Sequence, residues 1–166
     1  MANAIGPRGL VPSRYLDGSA WNGATNMYCI PQADGSAYGP GDAIKSAAGG
    51  DANGIPYMQK AAGTDTARGV VVSVVISAPN LPSLQGVLLD LTTQAIPAAK
   101  TKDYYVLVCD DPTVIYEIQD DGSSALTSTA CNKNASLTVA NPTSPQQNSA
   151  TSLSCASVAT DRKSVV

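Results

Sequence analysis

The residues of this chain that could do chemistry are nearly all carboxylates. Asp110, Asp111, Glu117, Asp120 and Asp121 crowd one stretch, Tyr104 to Asp121, which reads YYVLVCDDPTVIYEIQDD. Converging on one cleft, they could hold a divalent cation through oxygen ligands or divide acid and base roles between them. Paired carboxylates also cleave glycosides, but that chemistry needs a sugar-binding aromatic cleft, and the chain has one Trp and no Phe. There is no His for a triad, and Glu117 is the sole Glu. The plainer reading is structural: Asp recurs in turns because it bonds its own nearby backbone, and Pro112 sets a turn while withholding a ladder donor.

The elements that would have to position these carboxylates favour the plainer reading. Tyr104–Cys109 and Val114–Ile118 are short runs rich in Val, Ile and Tyr, suited to strands, around the turn set Asp110-Asp111-Pro112-Thr113. The expectation is a β-hairpin or a tight strand-to-strand corner. Alternation puts Val114, Tyr116 and Ile118 on one face and Ile115, Glu117 and Gln119 on the other, so Glu117 points away from the more apolar layer. No catalytic residue and no metal site are assigned.

Four cysteines, Cys29, Cys109, Cys131 and Cys155, are widely spaced without a CxxC pair, and are expected as buried free thiols. The segment GGDANG at 49–54 carries part of a calcium-loop pattern but lacks the closing Glu, and reads as a turn. No P-loop, GxSxG or GxGxxG occurs in its required context. Asn134-Ala135-Ser136 matches a glycosylation acceptor, which matters only on a secretory route.

Along the chain, residues 1–25 read as an extended arm. Recurrent Gly and Pro exclude a helix or central strand, while Leu10, Val11, Tyr15, Leu16 and Trp21 are apolar anchors for its own body or for a partner. Residues 26–160 read as a single β domain and 161–166 as a polar tail. Strands are expected at 26–31, 43–46, 55–60, 135–140 and 151–159, and 84–91 is a further apolar run, bent at Gly86, open to strand or helix. The strongest is Arg68–Ser77, apolar on both faces and therefore central, with Val71, Ser73 and Val75 on one side and Val70, Val72 and Val74 on the other. About eight short strands divided by Gly/Pro turns point to an all-β, jelly-roll-like sandwich or a small barrel.

Composition limits the function. At 166 residues the chain holds one domain, and much of its 43% apolar content is small Ala and Val. Such a core is lean and gains from a partner surface. A net charge of −3 and scattered Lys and Arg argue against nucleic-acid binding. The segment MANAIGPRGLVPSRY has no apolar core of signal-peptide length, and the longest apolar run is too short to span a bilayer. No membrane association is expected, and the protein is expected to be made and kept in the cytoplasm.

The segments GPRGLVPSRYLDGSAWNGATNMYCIP, GDAIKSAAGGDANGIPYMQKAAGTDTARGVVVSVV and CDDPTVIYEIQDDG resemble tailed-bacteriophage structural proteins that decorate, or cement, the icosahedral head. The likeness spans roughly residues 1–130, judged on these motifs, and fades beyond Asn132. It implies a jelly-roll-like β fold on the capsid exterior, at junctions between subunits of the major capsid protein. It also implies a virion protein assembled in the host cytoplasm, a homo-oligomer (dimer or trimer) on the shell, and neither catalysis nor cofactor. Leu10, Val11, Tyr15, Leu16 and Trp21 are then the expected partner-binding residues. The alternatives are another virion or surface component, such as a tail protein or a receptor- or glycan-binding β module, and a metal-dependent enzyme built on Asp110, Asp111, Glu117 and Asp120.

Overall fold

A computed structural model describes residues 8–75, 95–142 and 148–158. Nine strands follow one another: β1 Val11–Tyr15, β2 Asn26–Ile30, β3 Ala43–Gly50, β4 Pro56–Lys60, β5 Gly69–Val75, β6 Tyr104–Cys109, β7 Val114–Glu117, β8 Leu137–Thr138 and β9 Ser152–Leu153. Two 3₁₀ turns, Ser128–Ala130 and Cys155–Ser157, complete the described elements. The expected run at 84–91, Ile76 and Ser77, and the tail at 161–166 lie outside the described residues.

The architecture is all-β, as the turn-rich, charge-poor sequence predicts. Between a sandwich and a barrel the chain takes the barrel, with β2, β4, β3, β5 and β6 closing in that order. Strand β6 runs antiparallel to β2, with Asn26 opposite Val108 and Ile30 opposite Tyr104, and antiparallel to β5 on its other side. A parallel contact of β2 with β4, at Cys29 and Tyr57, completes the ring and leaves no barrel edge exposed. Side chains fill so small a ring. Tyr28, Ile30, Ile44, Met58, Val71, Val74, Val106 and Val108 form the buried interior together with Tyr38 and Ile96. Outside it, Cys29, Val75 and Tyr105 pack with Met27, Ile55, Tyr57 and Leu107.

Strand β5 corrects the simple alternation read from its sequence. Val71 pairs with Val108 but Ser73 pairs with Leu107, so Val72 is an extra residue in a bulge. The bulge re-phases the strand and turns both Val71 and Val74 inward, although strict alternation would separate them.

The stretch Tyr104–Asp121 is a corner and not a hairpin. Strand β6 stays in the barrel, while β7 leaves it and pairs with β1, Val11 opposite Glu117 and Tyr15 opposite Val114. From β1 onward, therefore, the expected arm packs on its own domain, one of the two courses open to it. Leu10 is buried with Ala43, Ala61 and Val70, and Tyr116, Ile118 and Leu137 cover this second cluster. Gly9 (φ 72°) and Gly41 (φ 95°) interlock at the point of entry, where the Leu10 N–H donates to the Gly41 carbonyl at 2.9 Å. A Cβ on Gly41 would strike the Arg8 carbonyl oxygen, and both backbones are left-handed, so glycine is required on each side.

Candidate functional site

The acidic corner carries much of the chain's possible chemistry, and the fold gives each carboxylate a nearby partner. Asp110, just past β6, accepts from Tyr28 Oη at 2.5 Å and Asn26 Nδ2 at 2.8 Å, with Arg68 Nη2 at 3.8 Å. It thereby ties β2 to the end of β6. Asp111 accepts from the Thr113 hydroxyl and N–H at 2.7 and 2.8 Å, which holds its carboxyl below the usual range. Glu117 accepts from Ser13 Oγ at 2.7 Å across the β1–β7 ladder. Asp120 caps the Gly122 N–H at 3.1 Å. Asp121 takes the Ser123 N–H and hydroxyl and the Cys155 N–H, which lower its carboxyl to about 2.

These carboxylates are spread over a corner, a ladder and a loop, each engaged as a turn or strand-end acceptor. Among the described residues no group of three or more His, Cys, Asp or Glu is placed to hold a metal ion. The GGDANG segment is a turn built on Asp51, which accepts from the Asn53 and Ile55 N–H groups and from Tyr105 Oη. The cysteines are free, with Cys29, Cys109 and Cys155 buried. Cys131 departs from expectation and is exposed, because it sits just after an outer 3₁₀ turn with no buried residue. Burial pushes the Cys29 thiol up to about 12, with the Asp103 and Asp51 charges adding to it. It is therefore a packing group and a poor nucleophile.

A buried polar network at one end of the barrel was not legible in the sequence. Asp42 and the Lys100 side chain are fully buried. Asp42 pairs with Lys60 at 3.0 Å, accepts from the Gly39 N–H at 2.9 Å, and takes the Ser149 hydroxyl. Lys100 donates to the carbonyls of Asp34 and Ser36, and its ammonium lies 3.5 Å from Asp34 Oδ1. Burial depresses the Lys100 ammonium, and Asp34 works against that shift. Between the two lysines lies Tyr38, its ring 5.7 Å from Lys60 Nζ and 5.3 Å from Lys100 Nζ, its hydroxyl donating to Asp34 at 2.9 Å. Every charge has an opposite partner, so the network is a plug and not a reactive lysine site. Its one sequence signal is charge in a chain otherwise poor in it.

The arm residues part ways. Leu10 is removed from the contact set, because the domain's own second cluster buries it to 6% exposure. Tyr15, Leu16 and Trp21 sit on a β-turn excursion, whereas Val11 opens β1 at its other end, opposite Glu117. After β1 the chain reverses, with Tyr15 N–H bonded to the Ser19 carbonyl and the Trp21 N–H to the Ser13 carbonyl. Leu16, at the tip, is 69% exposed, yet its N–H is fixed to the Thr113 carbonyl at 2.8 Å. Val11 is 41% exposed. Tyr15 is half-buried and donates to Asn22 Oδ1 at 2.6 Å. Trp21 is half-buried, and its indole N–H is sealed from solvent without an acceptor among the described residues. Such an orphan donor typically costs about 1–3 kcal/mol.

No helix among the described residues is long and apolar enough to cross a membrane. No protein-family model matches the chain, and comparison with characterised proteins and with solved structures returns no significant match to either.

Proposed function

We propose that the protein is a capsid cement protein, a decoration subunit that binds the outer surface of an icosahedral phage head at junctions between major capsid subunits and stabilises the shell. The observation that carries this reading is Leu16, a large apolar side chain presented to solvent on a turn whose backbone is bonded to both β1 and the acidic corner. A rigid, preorganised apolar tip meets a partner at low entropic cost. Tyr15 and Trp21 flank the same turn, and exposed Val11 begins the strand that leads into it. The head-protein motifs quoted above support the reading, since they include both this excursion and the corner beneath it.

In this reading the barrel is a rigid mount and the partner is the major capsid protein, with no cofactor and no reaction. The subunits act as a dimer or trimer on the exterior of the virion. Cementing adds interface across capsomer joints, and repetition over the shell compounds individually weak contacts.

Sedimentation with undecorated heads tests the proposal. The purified protein should pellet with heads at a fixed copy ratio to the major capsid protein and protect them against osmotic rupture. Leu16→Asp should lose occupancy while keeping its fold. Failure to pellet with heads overturns the proposal and moves the protein to a tail or receptor-binding role.

A further inference from the structure

The chain holds two Asn-Gly pairs, Asn22-Gly23 and Asn53-Gly54, and both are exposed. In such a pair the glycine nitrogen can attack the asparagine side-chain carbon, because glycine brings no side chain to shield it. The fold gives the two pairs opposite surroundings.

At Asn22 both reacting groups are prepared. Its Oδ1 accepts from Tyr15 Oη at 2.6 Å and from the Ala24 N–H at 3.0 Å. Two donors on that oxygen polarise the carbonyl and meet the negative charge that builds there during attack. The Ala24 bond also folds the side chain back along the Gly23 peptide, which cuts the rotation needed to bring the amide carbon onto the nitrogen. The Gly23 N–H has no acceptor among the described residues, and nothing stands within 4 Å of where a Cβ would sit. At Asn53 the same groups are withheld. The Gly54 N–H donates to the Asp51 carbonyl at 3.1 Å, so the nucleophile is occupied. Asn53 Nδ2 donates to Asp51 Oδ2 at 3.2 Å, and that carboxylate opposes the nitrogen anion that attack requires.

We propose that Asn22 is a site of spontaneous modification, its side chain closing on the Gly23 nitrogen, while the fold protects Asn53. Hydroxide takes the Gly23 amide proton, and the nitrogen bonds to the Asn22 side-chain carbon. The bond from that carbon to Nδ2 then breaks, and the departing nitrogen takes a proton from water and leaves as ammonia. Water opens the cyclic imide at either carbonyl, which leaves aspartate or isoaspartate at position 22. The product puts a new negative charge on the excursion that carries Leu16 and Trp21, so an aged subunit differs from a fresh one at its tip. The chemistry itself does not depend on the capsid reading.

Peptide mapping by mass spectrometry, on the full chain held at mildly alkaline pH, tests it. Asn22 should convert at least about tenfold faster than Asn53 in the native protein, and the two rates should converge in urea, where only the sequence acts. Tyr15→Phe, which removes one hydroxyl, should slow Asn22 about fivefold, the worth of one hydrogen bond, and leave Asn53 unchanged. If that variant does not fold, the native and urea rates decide alone. Asn53 converting as fast as Asn22 in the native chain, a rate difference that persists in urea, or an Asn22 rate unchanged in Tyr15→Phe would each overturn the proposal.

Discussion

Lys60 places its ammonium 3.0 Å from Asp42 Oδ2 at the end of the barrel, with the two side chains 9% and 0% exposed. The pair does more than neutralise itself. Lys60 also donates to the Ala37 carbonyl at 2.9 Å and the Ala140 carbonyl at 3.3 Å, and Asp42 gathers Ser149 and Thr151. Two late segments are thereby fastened to a barrel that forms from residues 26–109.

Removing one partner from such a pair strands the other charge away from water. Asp42→Ala should lower stability by about 3–5 kcal/mol. Asp42→Asn should cost less, because its one amide oxygen can still accept from either the Gly39 N–H or the Ser149 hydroxyl, which meet different oxygens of the native carboxylate. Urea denaturation midpoints measure both, and a loss under about 1 kcal/mol for Asp42→Ala would contradict a dry ion pair.

Leu10 and Leu16 lie six positions apart yet should respond oppositely. Leu10→Ala should cost about 2–5 kcal/mol, as for a buried leucine. Leu16→Ser should change stability by no more than about 0.5 kcal/mol, because its side chain meets mostly water. Urea denaturation midpoints, measured beside head-binding assays, separate a folding role from a contact role.

Thiol reactivity should report the placement of the cysteines. Under native conditions, a thiol-specific reagent should modify Cys131 quickly and Cys29, Cys109 and Cys155 slowly, with all four reacting after denaturation. Two or more fast thiols in the native protein would contradict the burial of Cys29, Cys109 and Cys155.

Asp121 gives the fold an acid limb. Its carboxyl ordinarily titrates at 3.8 and is lowered to about 2, first by the Ser123 N–H, then by the Ser123 hydroxyl and the Cys155 N–H. The unfolded chain therefore binds its proton at a higher pH than the native state does. The stabilisation is present above about pH 4 and is lost as pH falls towards 2. Asp121→Asn should lower the melting temperature at pH 6 and lie closer to wild type at pH 2.5. An equal gap at both pH values would mean the carboxylate charge is not what these donors hold.

The local pattern fixed what is local. Val and Tyr in Tyr104–Cys109 marked β6, because β-branched and aromatic side chains suit a pleated surface. Asp110-Asp111-Pro112 marked a turn because Asp bonds its own nearby backbone and Pro fixes φ, and the absence of His, with a lone outward Glu, weighed against catalysis at the corner. The sequence alone thus determined an all-β chain of short strands with acidic turns.

What the tertiary structure decided rests on pairings between distant residues, which carry no periodic signature. The Ser13–Glu117 bond spans 104 positions, and only this pairing makes the acidic stretch a corner and draws the arm onto the domain. The Val72 bulge depends on register against β6 and is invisible in a uniform run of valines. Asp42 looked like one more loop carboxylate until the barrel closed beside it. Its desolvation, and hence its need for Lys60, arises from residues brought together only by folding.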